Sequence, residues 1–320
     1  MATYLITGVA GFIGSSIARA LLKRGDSVRG IDNFSTGSRE NLADIHQQID
    51  FRECDIRDFA AVKEACRGVD FVLHQAALAS VPRSVMEPLP TNEVNVDGTL
   101  NVLLAARDTG VKRMVYAASS SAYGDSPTLP KHEGMFPKPI SPYAVAKLTG
   151  EFYMAVFYRV YGLETVSLRY FNIFGPRQDA NSEYSAVLAK FITSMLNGQR
   201  PVIFGDGEQS RDFTYIDNAV QANLLACSAP TASVAGQVFN VATGHASTLR
   251  QTIELLREMT DYNGRPEFAA ERPGDVKHSL ADISLARQHL GYSPTIDFKE
   301  GLRRTVAWYR TAQKSIANAS

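Results

Sequence analysis

The sequence is poor in cysteine, in charge imbalance and in long apolar runs, and each shortage excludes something. Its 320 residues hold three cysteines, Cys54, Cys66 and Cys227, scattered and odd in number. That argues against a disulfide framework and a cysteine-based metal centre, and it fits a reducing compartment, here the cytoplasm. The six histidines show no paired ligand spacing, so no metal site is expected. Lys and Arg number 33, against 33 Asp and Glu. A chain without net charge has no overall field to draw it to nucleic acid or a membrane, so any anionic ligand must be held by local donors. No apolar run is long enough to cross a bilayer. The apolar start lacks a basic n-region and runs into a glycine loop, so it does not read as a signal peptide. There is no internal repeat. The length suggests two domains, or one large α/β unit with an appended part.

What is present begins at the first residues. Tyr4-Leu5-Ile6-Thr7 is a short apolar run that meets the loop Gly8-Val9-Ala10-Gly11-Phe12-Ile13-Gly14. A helical pattern follows from Ser15 to Arg24, with Gly25 as its stop. A tight turn needs unusual φ/ψ, and a pyrophosphate approaches backbone N–H groups only where no Cβ intervenes. The helix N-terminus adds unpaired donors and a partial positive charge. A second strand, Ser27 to Ile31, ends in Asp32, at the distance where an acidic residue holds a ribose diol. Strand, glycine loop, helix, strand and acid together read as a dinucleotide site. Asp32 selects NAD over NADP, because a carboxylate repels a 2′-phosphate.

Strand and helix alternate onward, which predicts an α/β fold with a Rossmann-type doubly wound parallel sheet and ligands at the carboxyl ends of its strands. Asn33-Phe34-Ser35-Thr36-Gly37 is a loop placed to wrap the adenosine ribose. A strand over 49–54 ends in Asp55-Ile56, where Asp55 suits either an adenine contact or a helix N-cap. The strand Phe71–His74 leads into Gln75-Ala76-Ala77, small residues against which a cofactor can lie. A long helix is expected from Thr91 to Arg107, containing Asn95.

The next strand, Met114 to Ala118, runs into Ser119-Ser120-Ser121. Beyond a proline-rich loop, Ser141-Pro142-Tyr143-Ala144-Val145-Ala146-Lys147 opens a helix reaching Tyr161, stopped by Gly162. Tyr143 and Lys147 then share one helical face. A tyrosine with pKa near ~10 is a poor base at neutral pH. A lysine cation nearby, with the positive nicotinamide of an oxidised cofactor, stabilises the phenolate. A serine hydroxyl can share the proton, and Ser119, nearest the strand, is the first choice.

On these residues, with Leu168-Arg169-Tyr170-Phe171-Asn172 and Arg211-Asp212-Phe213, the chain resembles the extended short-chain dehydrogenase/reductases, within the nucleotide-sugar epimerases and dehydratases. The stretches Ser141–Lys147, Gly205–Tyr215 and Gly274–Ile283 resemble those of bacterial UDP-N-acetylglucosamine 4-epimerases of surface-polysaccharide pathways. The resemblance implies an NAD domain over 1–173, with a return through 213–242, and a smaller α/β UDP-sugar domain over 174–320. It implies cofactor contacts from Asn95 and Tyr170, and substrate contacts from Asn172, Val187, Phe204, Arg211, Arg272, Asp275 and Ser279. Arg211 and Arg272 are expected on the diphosphate, Asp275 on the uridine ribose and Phe204 beside the uracil. Ser80 and Arg83 are further sugar-side candidates.

The family's dehydratases carry an acidic pair just after the catalytic Thr or Ser; here Ser120 and Ser121 stand there, so nothing is placed to expel a hydroxyl. The Ser-Tyr-Lys set instead suits a reversible oxidation at C4. Ser279 matches the family's sugar gate, and a small residue leaves room for a 2-acetamido group. A homodimer is also implied, through helices starting near Thr91 and Tyr143, with Val156, Phe157 and Val160 as apolar positions.

Overall fold

Apolar runs with alternating sides become strands buried on both faces. The structure, a computed structural model, describes residues 1–179, 187–271 and 276–317. β1 (Thr3–Thr7), α1 (Phe12–Lys23), β2 (Ser27–Asp32), β3 (Asp50–Glu53), α2 (Phe59–Cys66) and β4 (Phe71–His74) open the chain. Then come α3 (Val81–Met86), α4 (Pro88–Asn92), a π-helical turn over Glu93–Asp97, α5 (Gly98–Asp108), β5 (Arg113–Ser119), α6 (Pro142–Tyr161) and β6 (Glu164–Tyr170). The second half holds β7 (Ile173–Phe174), α7 (Val187–Leu196), β8 (Val202–Phe204), β9 (Ser210–Arg211), β10 (Thr214–Tyr215), α8 (Ile216–Ser228), α9 (Thr231–Val234) and β11 (Gln237–Val241). It ends with β12 (Ser247–Thr248), α10 (Leu249–Thr260), β13 (Glu267–Ala269), α11 (Ser284–Leu290) and α12 (Phe298–Ala317). Among the described residues no helix is long and apolar enough to cross a membrane.

The expected doubly wound sheet forms. Its seven parallel strands run β11-β6-β5-β4-β1-β2-β3. The order reverses beside β1, which pairs with β2 on one edge and β4 on the other. A crevice opens at such a switch point, outside the carboxyl ends of the strands. Successive residues of β1 face opposite layers: Leu5 packs with α2 and α5, Ile6 with α1 and the second half. β11 joins β6 in register from Gln237–Val166 to Val241–Tyr170, so the second half of the chain closes one edge of the sheet.

Arg113 ties the halves together. It pairs with Glu164 at 2.6 Å, and its guanidinium donates to the carbonyls of Ala226 and Ala229 at the end of α8. A cation there satisfies last-turn carbonyls and suits the helix dipole.

Three elements differ from expectation. The helix over 91–107 begins earlier, at Pro88, and is interrupted by the π turn around Asn95. By its sequence the stretch from Arg211 to Ile216 reads as a single strand. The chain instead makes β9 and β10, which pair with different partners, and turns the Asp212 side chain inward between them. Asp217 does not cap α8; Tyr215 holds that position, and Asp217 sits in the first turn, 3.5 Å from Arg304.

Candidate active site

The glycine loop is shaped by its own backbone. Gly8 N–H donates to the Ile31 carbonyl at 2.8 Å, and Gly11 N–H to the Gly8 carbonyl at 3.0 Å. A Cβ on Gly8 would lie 2.8 Å from the Ala76 backbone, and one on Gly14 only 2.2 Å from the Gly8 carbonyl oxygen. Those glycines leave a bare cradle at the start of α1, which has no side-chain cap and no acid in its first turn. Its unpaired N–H groups suit a phosphate. The cradle opens into a cleft of about 520 Å³. Every expected cofactor residue except Asn95 lines it.

Asp32 is held at the cleft edge by backbone donors, from Ala10 at 2.9 Å and Phe34 at 2.8 Å. Burial raises its pKa and these donors pull it back. Each oxygen keeps a lone pair for a ribose hydroxyl. Asp55 also faces the cleft, and the cap of α2 is Asp58 instead. The Arg57 guanidinium beside Asp55 holds its carboxyl down at about 2. The donor set, the carboxylates and the bare cradle fit a dinucleotide.

Asn95 has another task. It is buried, and its carboxamide accepts from Leu78 N–H at 2.8 Å and donates to the Leu78 carbonyl at 3.0 Å. With both ends engaged on one residue, it fixes the loop after β4 rather than facing the cleft. Gln178, Val94 and Cys54 line the cleft and were not expected. Gln178 follows Gly175-Pro176-Arg177, which in sequence shows only a break in pattern.

The reacting groups meet at the end of β5. Ser119 and Ser120 line the cleft; Ser121 does not, and its hydroxyl donates to Ser119 Oγ at 2.8 Å. α6 is capped by Ser141, whose hydroxyl accepts from Ala144 N–H at 3.2 Å, with Pro142 in its first turn. That start aims Tyr143 and Lys147 into the cleft. Burial raises the Tyr143 phenol, and a hydrogen bond with Ser119 lowers it. Lys147 Nζ donates to the Ala117 carbonyl at 2.8 Å, and the phenol's hydrogen-bond partner is Ser119, the serine nearest the strand. Burial pushes Lys147 down to about 7, while Glu151 one turn on favours its charged form. Glu151 is itself fixed by a buried bidentate pair with Arg169, at 2.7 and 2.9 Å.

A second cavity of about 250 Å³ adjoins the cleft, and Asn172 lines both. Val187, Phe204 and Arg211 lie in it as expected substrate residues. Arg211 is presented by Asp212, which is fully buried. The Asp212 carboxylate accepts from Thr243 N–H and hydroxyl at 2.9 and 2.7 Å, from Gly244 N–H at 3.0 Å and from Ala281 N–H at 3.3 Å. One carboxylate thus gathers three loops. Ser279 N–H donates to the Ser210 carbonyl at 3.0 Å, which sets it beside Arg211. Ser80 caps α3 by accepting from Arg83 N–H at 3.1 Å, and Arg83 pairs with Glu87 at 3.0 Å; neither lines the cleft. Arg272 and Asp275 lie outside the described residues.

A model of the NAD-dependent epimerase/dehydratase family matches residues 4–242. The chain belongs to that family. Members similar to it include a UDP-glucose 4-epimerase from Mycolicibacterium smegmatis, 37% identical over 96% of this chain and 98% of its own. Among solved structures, a UDP-N-acetylglucosamine 4-epimerase from Methanobrevibacter ruminantium M1, in complex with UDP-N-acetylmuramic acid, is 42% identical. It superposes with a TM-score of 0.92 over 97% of this chain and 99% of that one. A UDP-glucose 4-epimerase from Thermotoga maritima, with UDP-glucose, is 38% identical with a TM-score of 0.92 over the same shares, 97% and 99%. Membership makes NAD the occupant of the cleft, and the cradle geometry agrees with it.

Proposed function

We propose that this epimerase-family enzyme interconverts UDP-N-acetylglucosamine and UDP-N-acetylgalactosamine by epimerising C4 through a transient 4-keto sugar. One observation carries the reading. The Ser119–Tyr143 pair lines the dinucleotide cleft, which shares Asn172 and Ile173 with the Arg211 cavity, so a sugar with its diphosphate on Arg211 can extend its ring toward the phenol. The 1–173 part with 213–242 holds NAD, and the rest of 174–320 holds the UDP-sugar. NAD, when bound, supplies a hydride acceptor and donor and a positive ring, and with no net oxidation it need not leave. Tyr143 Oη takes the proton of the C4 hydroxyl, and Ser119 Oγ, backed by Ser121, bonds both oxygens and shares that proton. Lys147, one helical turn from Tyr143, favours the phenolate in its protonated form. The 4-keto sugar turns about its diphosphate, and Tyr143 returns the proton to C4 oxygen in the other configuration. Among the described residues the cleft's carboxylates are Asp32 and Asp55, on the side of the cleft expected to hold the adenosine, and none lines it beside Tyr143 to expel a hydroxyl.

The N-acetyl preference rests on Ser279, small enough to leave space beside the sugar. Incubation of the purified enzyme with UDP-N-acetylglucosamine and separately with UDP-glucose, read by anomeric proton NMR, tests it. Faster conversion of the N-acetyl sugar supports the reading. Preference for UDP-glucose or a UDP-uronic acid keeps the chemistry and overturns the gate. Retained NAD with no turnover on any UDP-sugar points to a non-catalytic NAD-binding protein.

The working form is a homodimer in the cytoplasm. Val145, Phe152, Val156 and Val160 form an exposed apolar stripe on α6, continued by Val85, Met86 and Leu89 from the helices packed against it. A second copy covers such a face. Phe157, which by its sequence position fits such an interface and a core face equally well, is buried in the core.

A further inference from the structure

A cavity of about 560 Å³ lies away from the active site, between α1 and α8. None of its lining residues belongs to the cleft or to the Arg211 cavity. One wall is apolar, from Val220, Leu224 and Leu225 of α8. The rim carries Arg19, Lys23, Arg24 and Arg177 against one carboxylate, Asp217. Most of these charges are engaged: Arg19 with Asp44, Arg24 with Asp26, and Asp217 with Arg304. Lys23 and Arg177 take part in no ion pair among the described residues.

Two polar atoms in this lining are enclosed yet have no hydrogen-bond partner, Arg177 Nε and Gln221 Oε1. Leaving a buried charged donor unpaired is costly, and a cavity that adds an unpaired amide acceptor to it has both a donor and an acceptor to offer a ligand. Arg177 also stands at φ 70°, where a residue with a side chain is seldom found. Burial and the neighbouring Arg19 guanidinium push its pKa down, against an opposing pull from Asp44, Tyr215 and Asp217. Strain and unpaired charge of this kind concentrate where a ligand supplies the missing partner.

We propose that this cavity is a second binding site for a small phosphate-bearing metabolite of nucleotide size. The phosphate sits between Arg177 and Lys23, where guanidinium and ammonium supply charge-assisted hydrogen bonds. The apolar part of the ligand packs on Val220, Leu224 and Leu225, and a hydroxyl or N–H of the ligand donates to Gln221 Oε1. The site is wired to the active site. Arg177 directly precedes Gln178, which lines the cofactor cleft, and Arg19 and Lys23 share α1 with the phosphate cradle.

Isothermal titration of the enzyme saturated with NAD and UDP, so that the cleft and the Arg211 cavity are filled, tests this with AMP and with inorganic phosphate as probes. The expected result is one AMP per chain, with phosphate binding more weakly and competing. Arg177→Gln and Lys23→Gln should each weaken AMP binding about tenfold or more, the loss of one charge-assisted contact. Lys112→Gln, a surface lysine elsewhere, should leave it unchanged. No saturable binding of either probe overturns the proposal. So does an AMP affinity unchanged in both cavity variants, or release of NAD in step with the heat, which assigns the binding to the cofactor cleft.

Discussion

From Gly8 to Lys147, the cofactor cleft is made from the carboxyl ends of strands in one sheet and the first turns of the helices after them. From Phe204 to Ser279, the neighbouring cavity is made from two- and three-residue ladders, gathered by the buried Asp212 carboxylate. The first side takes its shape from backbone that the sheet fixes. The second takes its shape from side-chain hydrogen bonds. Substitutions should therefore separate the two sides. Damage to the cradle should remove NAD, and damage around Asp212 should loosen the UDP-sugar while NAD stays.

The largest effect is expected at Gly14. A methyl there would sit 2.2 Å from the Gly8 carbonyl oxygen, so Gly14→Ala should yield protein without bound NAD, measured by absorbance of the acid extract. Tyr143→Phe comes next. It should keep NAD and lose ~10²–10⁴ in turnover if the phenol is the base that takes the C4 hydroxyl proton, with Ser119 only sharing it. An unchanged rate would remove Tyr143 from the mechanism. On the other side, Asp212→Ala strands four donors in the interior. It should destabilise by about 2–4 kcal/mol and raise the KM for the UDP-sugar, with NAD occupancy intact. Equal loss of NAD in that variant would erase the contrast.

The smallest effect is on pH dependence. Lys147 is held at about 7 in the folded protein, against roughly 10.4 when unfolded. The cost of burying its charge is fully present below pH 7 and fades as pH rises toward 10. Melting of the NAD-free protein should show wild type gaining on Lys147→Met between pH 7 and 9.5. A constant difference would mean that Lys147 keeps its charge through that range.

The same contrast explains what the sequence makes legible. The strand Phe71–His74, the helix from Pro142 to Tyr161 and the glycine cradle carry local signals: apolar period, turn residue, cap. Nearly all the expected cofactor residues follow from them and meet in one cleft. Where a side chain chooses a distant partner, local pattern says little. The family resemblance implies a cofactor contact for Asn95, yet in the π turn its side chain holds Leu78. The stretch from Arg211 to Ile216 reads as one strand, but the preference of Asp212 for Thr243 and Gly244 breaks it in two. Among Ser119–Ser121 the sequence favours Ser119 only by its place nearest the strand, and the end of β5 sorts their hydroxyls. Ser119 meets the phenol and Ser121 stands behind it. The phosphate-type cavity between α1 and α8 had no signal, since its charges come from residues 150 or more apart in sequence, such as Lys23 and Arg177.

The central claim is that the C4 hydrogen leaves and returns within one closed site while Tyr143 handles only the hydroxyl proton. Turnover of UDP-N-acetylglucosamine carrying deuterium at C4, in ordinary water, tests it most directly. The account predicts UDP-N-acetylgalactosamine with the deuterium still at C4. Loss of the label to solvent would contradict it.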